Sequence, residues 1–286
     1  MITVVRYSLR RLRGQTLGWG IALALLALMI VSVYDAIAAQ QEQVARLVAS
    51  YPPELMAFFG ASQDALAMFT PEGFISFEFF SLMPVVVGIF AVLMGSGLLV
   101  GDEEKGTLDL IMAHPVSRTA LFLGRMAALA LATAGILAIV WLGFLLGMRF
   151  STLSIAWDRL LRPFVSLLAV LLLFEALALL LSMVLPSRRL AATVSGSLLV
   201  ASYFVTSLAR VNEDLEAVAR FSPLNYLQTA DAFDEFNLQW VAGLLLTAAI
   251  FSVTAWWRFQ RRDIRVGGEG GWQVPSLSWR RIHRTA

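Results

Sequence analysis

Six uninterrupted apolar runs, residues 17–38, 79–101, 120–147, 164–185, 190–209 and 238–257, dominate this chain of 286 residues. A helix rising about 1.5 Å per residue needs about 20 such residues to cross a ~30 Å hydrocarbon core, so each run predicts one transmembrane helix. Only helices and closed barrels satisfy their backbone groups in lipid, and barrel strands would alternate in polarity, which these runs do not. Composition agrees: 58% of residues are hydrophobic and 15% charged, against about 45–50% and ~25% in soluble domains. Mean hydropathy is +0.74, and so little polar surface cannot clothe a water-soluble globule. The fold class is therefore an all-α membrane protein with six transmembrane helices. The first run is too long for a removable signal peptide; it reads as a signal anchor. The third is long enough to tilt or project beyond the bilayer. Pro163 is expected in the first turn of the fourth helix.

Charge placement predicts orientation. With both termini in the cytoplasm, sixteen of the 22 Lys and Arg residues lie inside, among them Arg6, Arg10, Arg11, Arg13, Lys105, Arg125 and Arg188. Six lie outside, and the positive-inside bias favours this arrangement. The net charge of +2 hides a polarised chain and gives no footing for nucleic acid. Residues 1–16 read as a separate interfacial amphipathic helix, with Val5, Leu9 and Leu12 on one face and Arg6, Arg10 and Arg13 on another. That helix would lie in the headgroup plane; the alternative is that its arginines only set topology. The six-helix transmembrane domain spans 17–264, and 265–286 forms a flexible basic cytoplasmic tail with a Gly267-Gly268-Glu269-Gly270-Gly271 linker. The long outer connections, about 39–78 and 210–237, are expected to hold short helices of their own.

The most informative stretch follows the second run, from Gly101 to Arg118. Gly106 breaks from the preceding span and Thr107 is placed to cap a short amphipathic helix. Leu108, Ile111 and Met112 share its apolar face. Pro115 stops it, and Ser117 is placed to cap the next helix at Arg118. An acidic-flanked surface helix between two spans is suited to pushing on a partner, while the plain alternative is a solvated turn.

This stretch resembles the coupling-helix region of type-2 ABC exporter permeases. The residues that carry the likeness are Glu103, Glu104, Gly106, Thr107, Leu108 and Leu110, then Pro115, Val116, Ser117 and Arg118, with one difference in spacing. Thr70-Pro71-Glu72-Gly73-Phe74, Ser222-Pro223-Leu224-Asn225-Tyr226 and Arg261-Arg262-Asp263-Ile264 match further pieces in the same order, and Arg125 stands where a basic residue often follows the motif. The likeness implies a six-helix permease half in a prokaryotic cytoplasmic membrane. It would pair with a second permease copy, a homodimer being the simplest assembly, and with two separate ABC ATPase subunits. The coupling helix would sit in a cleft of the ATPase. No Gly-x-x-x-x-Gly-Lys-Ser/Thr phosphate loop occurs here, so ATP and Mg would be bound by the partner and this chain would carry no cofactor.

Glu175 is the one acid deep in a run, at the middle of 164–185. Such a residue costs on the order of 2.5–3.5 kcal/mol and faces a cavity or partner. It reads either as a protonated packing residue or as a contact for substrate on a translocation path. Ser195, Ser202 and Thr206 in the fifth run are open to the same two readings, helix contact or path. Small residues four apart at Gly14/Gly18, Gly97/Gly101 and Gly143/Gly147 predict close helix approach. Enzyme readings are poor: there is no Cys, the two His residues (His114 and His283) are far apart, and no metal site is expected. The expected function is a permease exporting a hydrophobic or amphipathic compound, such as a drug, an antibiotic or a lipid-like molecule. The alternatives are a maturation-type ABC permease serving an extracytoplasmic metalloenzyme, and a proton-coupled secondary carrier using Glu175.

Overall fold

The computed structural model describes residues 1–40, 50–58, 70–113 and 115–262. The expected tail (265–286), both histidines and half of the connection 39–78 lie outside the described residues. In chain order the α-helices are α1 (Ile2–Ala39), α2 (Pro53–Phe58), α3 (Pro71–Ile75), α4 (Met83–Gly97), α5 (Val100–Glu103), α6 (Leu108–Met112), α7 (Arg118–Gly147), α8 (Trp157–Val184), α9 (Arg188–Ala209), α10 (Glu216–Ala219) and α11 (Leu238–Arg261). Five of these, α1, α7, α8, α9 and α11, are long and apolar enough to cross a membrane. A sixth crossing arises if the bent pair Pro71–Phe80 and Met83–Gly97, inclined at 41°, forms one broken span.

That break is the main departure from the expected second helix. The apolar run 79–101 straddles it: the helix begins at Pro71, passes through a π-helical turn at Ser76–Phe80, and bends before Met83. Pro84 stands in the first turn of α4 and has no N–H to bond back to Phe80, which interrupts the ladder. The Ser81 hydroxyl instead donates to the Phe77 carbonyl. Pro163 also differs from expectation. It lies inside α8, because that helix starts at Trp157, well before Phe164.

The separate interfacial helix over 1–16 is not observed. Residues 2–39 form one helix of 38 residues, about 57 Å long at 1.5 Å per residue. Its first turns pack on α7 rather than lying apart: a Cβ on Gly124 would come within 2.8 Å of Val4. The two helices run side by side in the same direction, as Thr16 faces Gly135, Ala24 faces Gly143 and Val31 faces Gly147. Gly143 and Gly147 thus make the close approach their spacing predicts. Gly14 and Gly18 do not; nothing approaches the position of their absent Cβ atoms within 4 Å.

α8 is the central helix, touching α4, α7, α9 and α11. At one end of the bundle, Phe79, Phe80, Phe144 and Phe164 form a cluster of rings 5.0–6.1 Å apart, mostly edge-to-face as ring quadrupoles favour. This end also carries Arg159 paired with Asp234 and, at 3.7 Å, with Glu72. The short helices expected in the long connections are found here: α2, whose Phe58 ring meets Tyr203 and Phe204, and α10 with its flanking 3-10 turns. The opposite end, called the basic end below, gathers Arg11, Asp102, Arg125 and Arg188.

Candidate functional site

At the basic end, the chain from Leu98 to Arg118 leaves α4, turns through α5 and α6 and enters α7. Gly106 has φ +67°, a left-handed conformation that glycine adopts without Cβ strain. The turn closes on the Asp102 carbonyl, which accepts from Thr107 N at 2.9 Å and Thr107 Oγ1 at 3.1 Å. Thr107 therefore does not cap α6 with its side chain as expected. Leu108 is buried, Ile111 and Met112 are half-buried against the same cluster, and Leu110 and Asp109 face outward. This matches the predicted amphipathic face. Ser117 caps α7 as predicted, accepting from Ala120 N at 3.1 Å. Val116 packs beside Leu108's cluster and Pro115 is exposed.

Asp102 and Glu103 are buried in the bundle, while Glu104 lies at its surface. Asp102 accepts two hydrogen bonds from Arg11 on α1, both 2.8 Å, and one from Arg125 on α7 at 2.6 Å. Arg125 also donates to the Leu98 carbonyl at 2.8 Å. Burial pushes the Asp102 carboxyl up, but the Arg11 hydrogen bond and the Arg125 charge outweigh it and hold the group below its ordinary value. Glu103 is ion-paired with Arg262 at the end of α11. Glu104 accepts from the backbone N–H of Arg188 at 3.0 Å, at the first turn of α9, where a carboxylate also complements the helix dipole. Arg118 donates to the carbonyls of Phe259 (3.2 Å) and Arg262 (2.8 Å), satisfying the C-terminal end of α11. Three consecutive acids and one arginine thus tie the segment to α1, α7, α9 and α11.

Of the predicted coupling residues, the structure brings Glu103, Glu104, Gly106, Thr107, Leu108, Leu110, Pro115, Val116, Ser117 and Arg118 into this one segment. Glu103 and Arg118 serve as anchors inside the molecule. Sequence reasoning missed Asp102, Arg11 and Arg262. The available signal was an acidic triplet, Asp102-Glu103-Glu104, in a chain with only 20 acids.

The predicted path residues fall into two places. Glu175 on α8 accepts a hydrogen bond from the Thr133 hydroxyl of α7. Beside it, α4 approaches so closely that a Cβ on Gly95 would lie 2.5 Å from the Glu175 carbonyl oxygen. On α9, Thr206 Oγ1 and Ser222 Oγ share a hydrogen bond of 2.8 Å, and Ser222 Oγ donates to the Ser202 carbonyl at 3.1 Å. Ser195 is buried, and its hydroxyl has no hydrogen-bond partner among the described residues. Glu175 therefore meets α7 and α4, whereas Ser202 and Thr206 meet Ser222 in the connection 210–237.

Gly97 and Gly101 do not make the helix contact their spacing predicts. The Arg188 guanidinium lies over them, 2.7 Å from where a Gly97 Cβ would stand. Among the described residues, no group of three or more His, Cys, Asp or Glu side chains is placed to hold a metal ion. No curated protein matches the chain. The family model described as ABC-2 family transporter protein matches residues 2–264, nearly the whole chain, and the protein belongs to that family.

Proposed function

We propose that the chain is the membrane subunit of an ATP-driven exporter, and that the segment from Asp102 to Arg118 takes up the movement of the ATPase. ABC-2 membrane subunits are non-catalytic, and the family implies one or more cognate ATPases. The observation that carries the reading is the fastening of this segment: Asp102, Glu103, Glu104 and Arg118 tie it to α1, α7, α11 and α9. A push on α6 would therefore displace most of the bundle at once instead of bending a slack loop. The outward-facing Asp109 and Leu110 on α6 and the exposed Pro115 are the surface offered to the ATPase.

In this reading both termini and the basic end face the cytoplasm, following the bias of Lys and Arg. Two ATPase subunits serve two permease copies, with ATP and Mg held on the ATPase. The long apolar faces of α9 and α11 suit contact with lipid or a second copy. The exported compound is hydrophobic or amphipathic, of drug, antibiotic or lipid-like type, and passes near Glu175, Ser195, Ser202 and Thr206. The test is co-purification with the cognate ATPase followed by transport assays in proteoliposomes. Gly106→Pro, which cannot adopt the positive φ of this turn, is expected to leave the subunit in the membrane and abolish ATP-driven transport. Full transport by that variant, or transport without the ATPase, would remove the proposal.

A further inference from the structure

A cavity of about 320 Å³ opens at the basic end between α1, α4 and the start of α9. That is far more than the ~30 Å³ share of one water molecule. Its polar wall carries four cations, Arg11, Lys105, Arg125 and Arg188. Arg11 and Arg125 share the single negative charge of Asp102, to which both bond. Arg188 and Lys105 have no carboxylate partner among the described residues. Among the described residues, Glu104 meets the Arg188 backbone alone, and the guanidinium of Arg188 makes one hydrogen bond, a 3.4 Å contact with the Leu93 carbonyl. Gly97 gives that guanidinium its seat, because a Cβ there would meet it at 2.7 Å.

The cavity is also graded in polarity. One turn deeper than Gly97 on α4 lie Leu93 and Met94, and one turn deeper than Arg125 on α7 lies Leu129; all three line it. Deeper still, the rings of Trp19 and Phe90 meet at 5.9 Å, where α1 and α4 converge. Arg125 is the eighth residue of α7, about 10 Å in from its start, so the cations sit at headgroup depth with apolar walls towards the hydrocarbon. A surplus of positive charge above an apolar floor matches an amphiphile with an anionic head, and basic pockets between membrane helices bind such heads.

We propose that this cavity seats the phosphate headgroup of an anionic phospholipid, held by Arg188 and Lys105 with its upper acyl carbons against Leu93 and Leu129. The lipid would lie directly beneath the anchored segment and beside the Asp102 network. The assay contains no ATPase and reads binding at the basic end rather than transport, so its outcome is independent of the export reading.

The experiment is displacement of fluorescent phosphatidylglycerol from the purified full chain in phosphatidylcholine nanodiscs. Unlabelled phosphatidylglycerol is expected to displace the probe, while added phosphatidylcholine and millimolar inorganic phosphate do not. Arg188→Ala combined with Lys105→Ala, which breaks no ion pair seen in the fold, is expected to weaken binding about tenfold or more. Gly97→Ala, which displaces the guanidinium from its seat, weakens it in the same direction. Arg149→Ala, at the other end of the bundle, leaves it unchanged. Equal displacement by phosphatidylcholine, or unchanged binding by both cavity variants, overturns the proposal. Displacement by inorganic phosphate as effective as by the lipid overturns the lipid assignment in favour of a soluble anion.

Discussion

At the basic end Asp102 is 3% exposed and accepts hydrogen bonds from two guanidinium groups, while in the middle of the bundle Glu175 is 6% exposed and accepts one from a hydroxyl. Both are buried acids in a chain poor in charge, yet their surroundings assign them opposite work. Asp102 is a charged knot between helices: remove it and the buried Arg125 loses its counter-charge. Glu175 sits among helix backbones, where Gly95 lets α4 come against α8, and a neutral side chain of the same shape meets the same demands. Burial alone thus says little about a carboxyl group; the charge of its partners decides.

Asp102→Ala is expected to have the largest effect. Stripping one partner from a buried ion pair costs about 3–5 kcal/mol, so the variant is expected to be recovered in much lower yield and to melt well below the wild type. Arg11→Ala is milder, within about 1 kcal/mol, because half of the Arg11 side chain reaches solvent. The sign of the pH dependence follows from the carboxyl's depressed value. Such a group stabilises the fold fully above its unfolded value of 3.8, and the contribution is lost as pH falls through the lower folded value. The gap in Tm between wild type and Asp102→Ala is therefore constant from about pH 5 to 8 and narrows only in stronger acid. A gap that shrinks near neutrality would contradict the charged knot.

The region around Glu175 answers to shape rather than charge. Gly95→Val forces a side chain into the Glu175 backbone and is expected to cost about 1–3 kcal/mol, as overpacking does. Thr133→Val removes one hydrogen bond, a loss of about 1 kcal/mol. Glu175→Gln keeps shape and bonding and is expected to change Tm least of the three. Thermal unfolding of the purified variants ranks them, and a Glu175→Gln effect as large as that of Asp102→Ala would erase the distinction.

Much of this arrangement was legible in the chain itself, for identifiable reasons. The apolar runs locate five long helices because lipid permits little else, and Ser117 at the start of α7 reads as a cap because its hydroxyl serves a local N–H. The predicted α6 face was also legible, since Leu108, Ile111 and Met112 recur at helical spacing. The break before Met83 was not, because hydropathy continues unchanged across it while the missing N–H of Pro84 acts on the backbone. The N-terminal pattern of Val5, Leu9 and Leu12 is the same whether a helix lies on a membrane or along α7. Gly97 and Gly101 have the spacing of a helix contact and prove to seat an arginine. Asp102 was hidden for a simpler reason: its partners lie 91 residues before it and 23 residues after it, and only the fold brings them together.

The clasp between Glu103 and Arg262 joins the segment before α6 to the end of α11. Glu103→Gln keeps the shape of the side chain and removes its charge, so insertion and ATPase binding are expected to survive. The decisive quantity is transport per ATP hydrolysed, measured in proteoliposomes with the cognate ATPase. With the clasp transmitting movement, the ratio falls about fivefold or more in the variant, the lower range of coupling between sites, while ATP hydrolysis continues. An unchanged ratio would mean that the ATPase moves this bundle by another route.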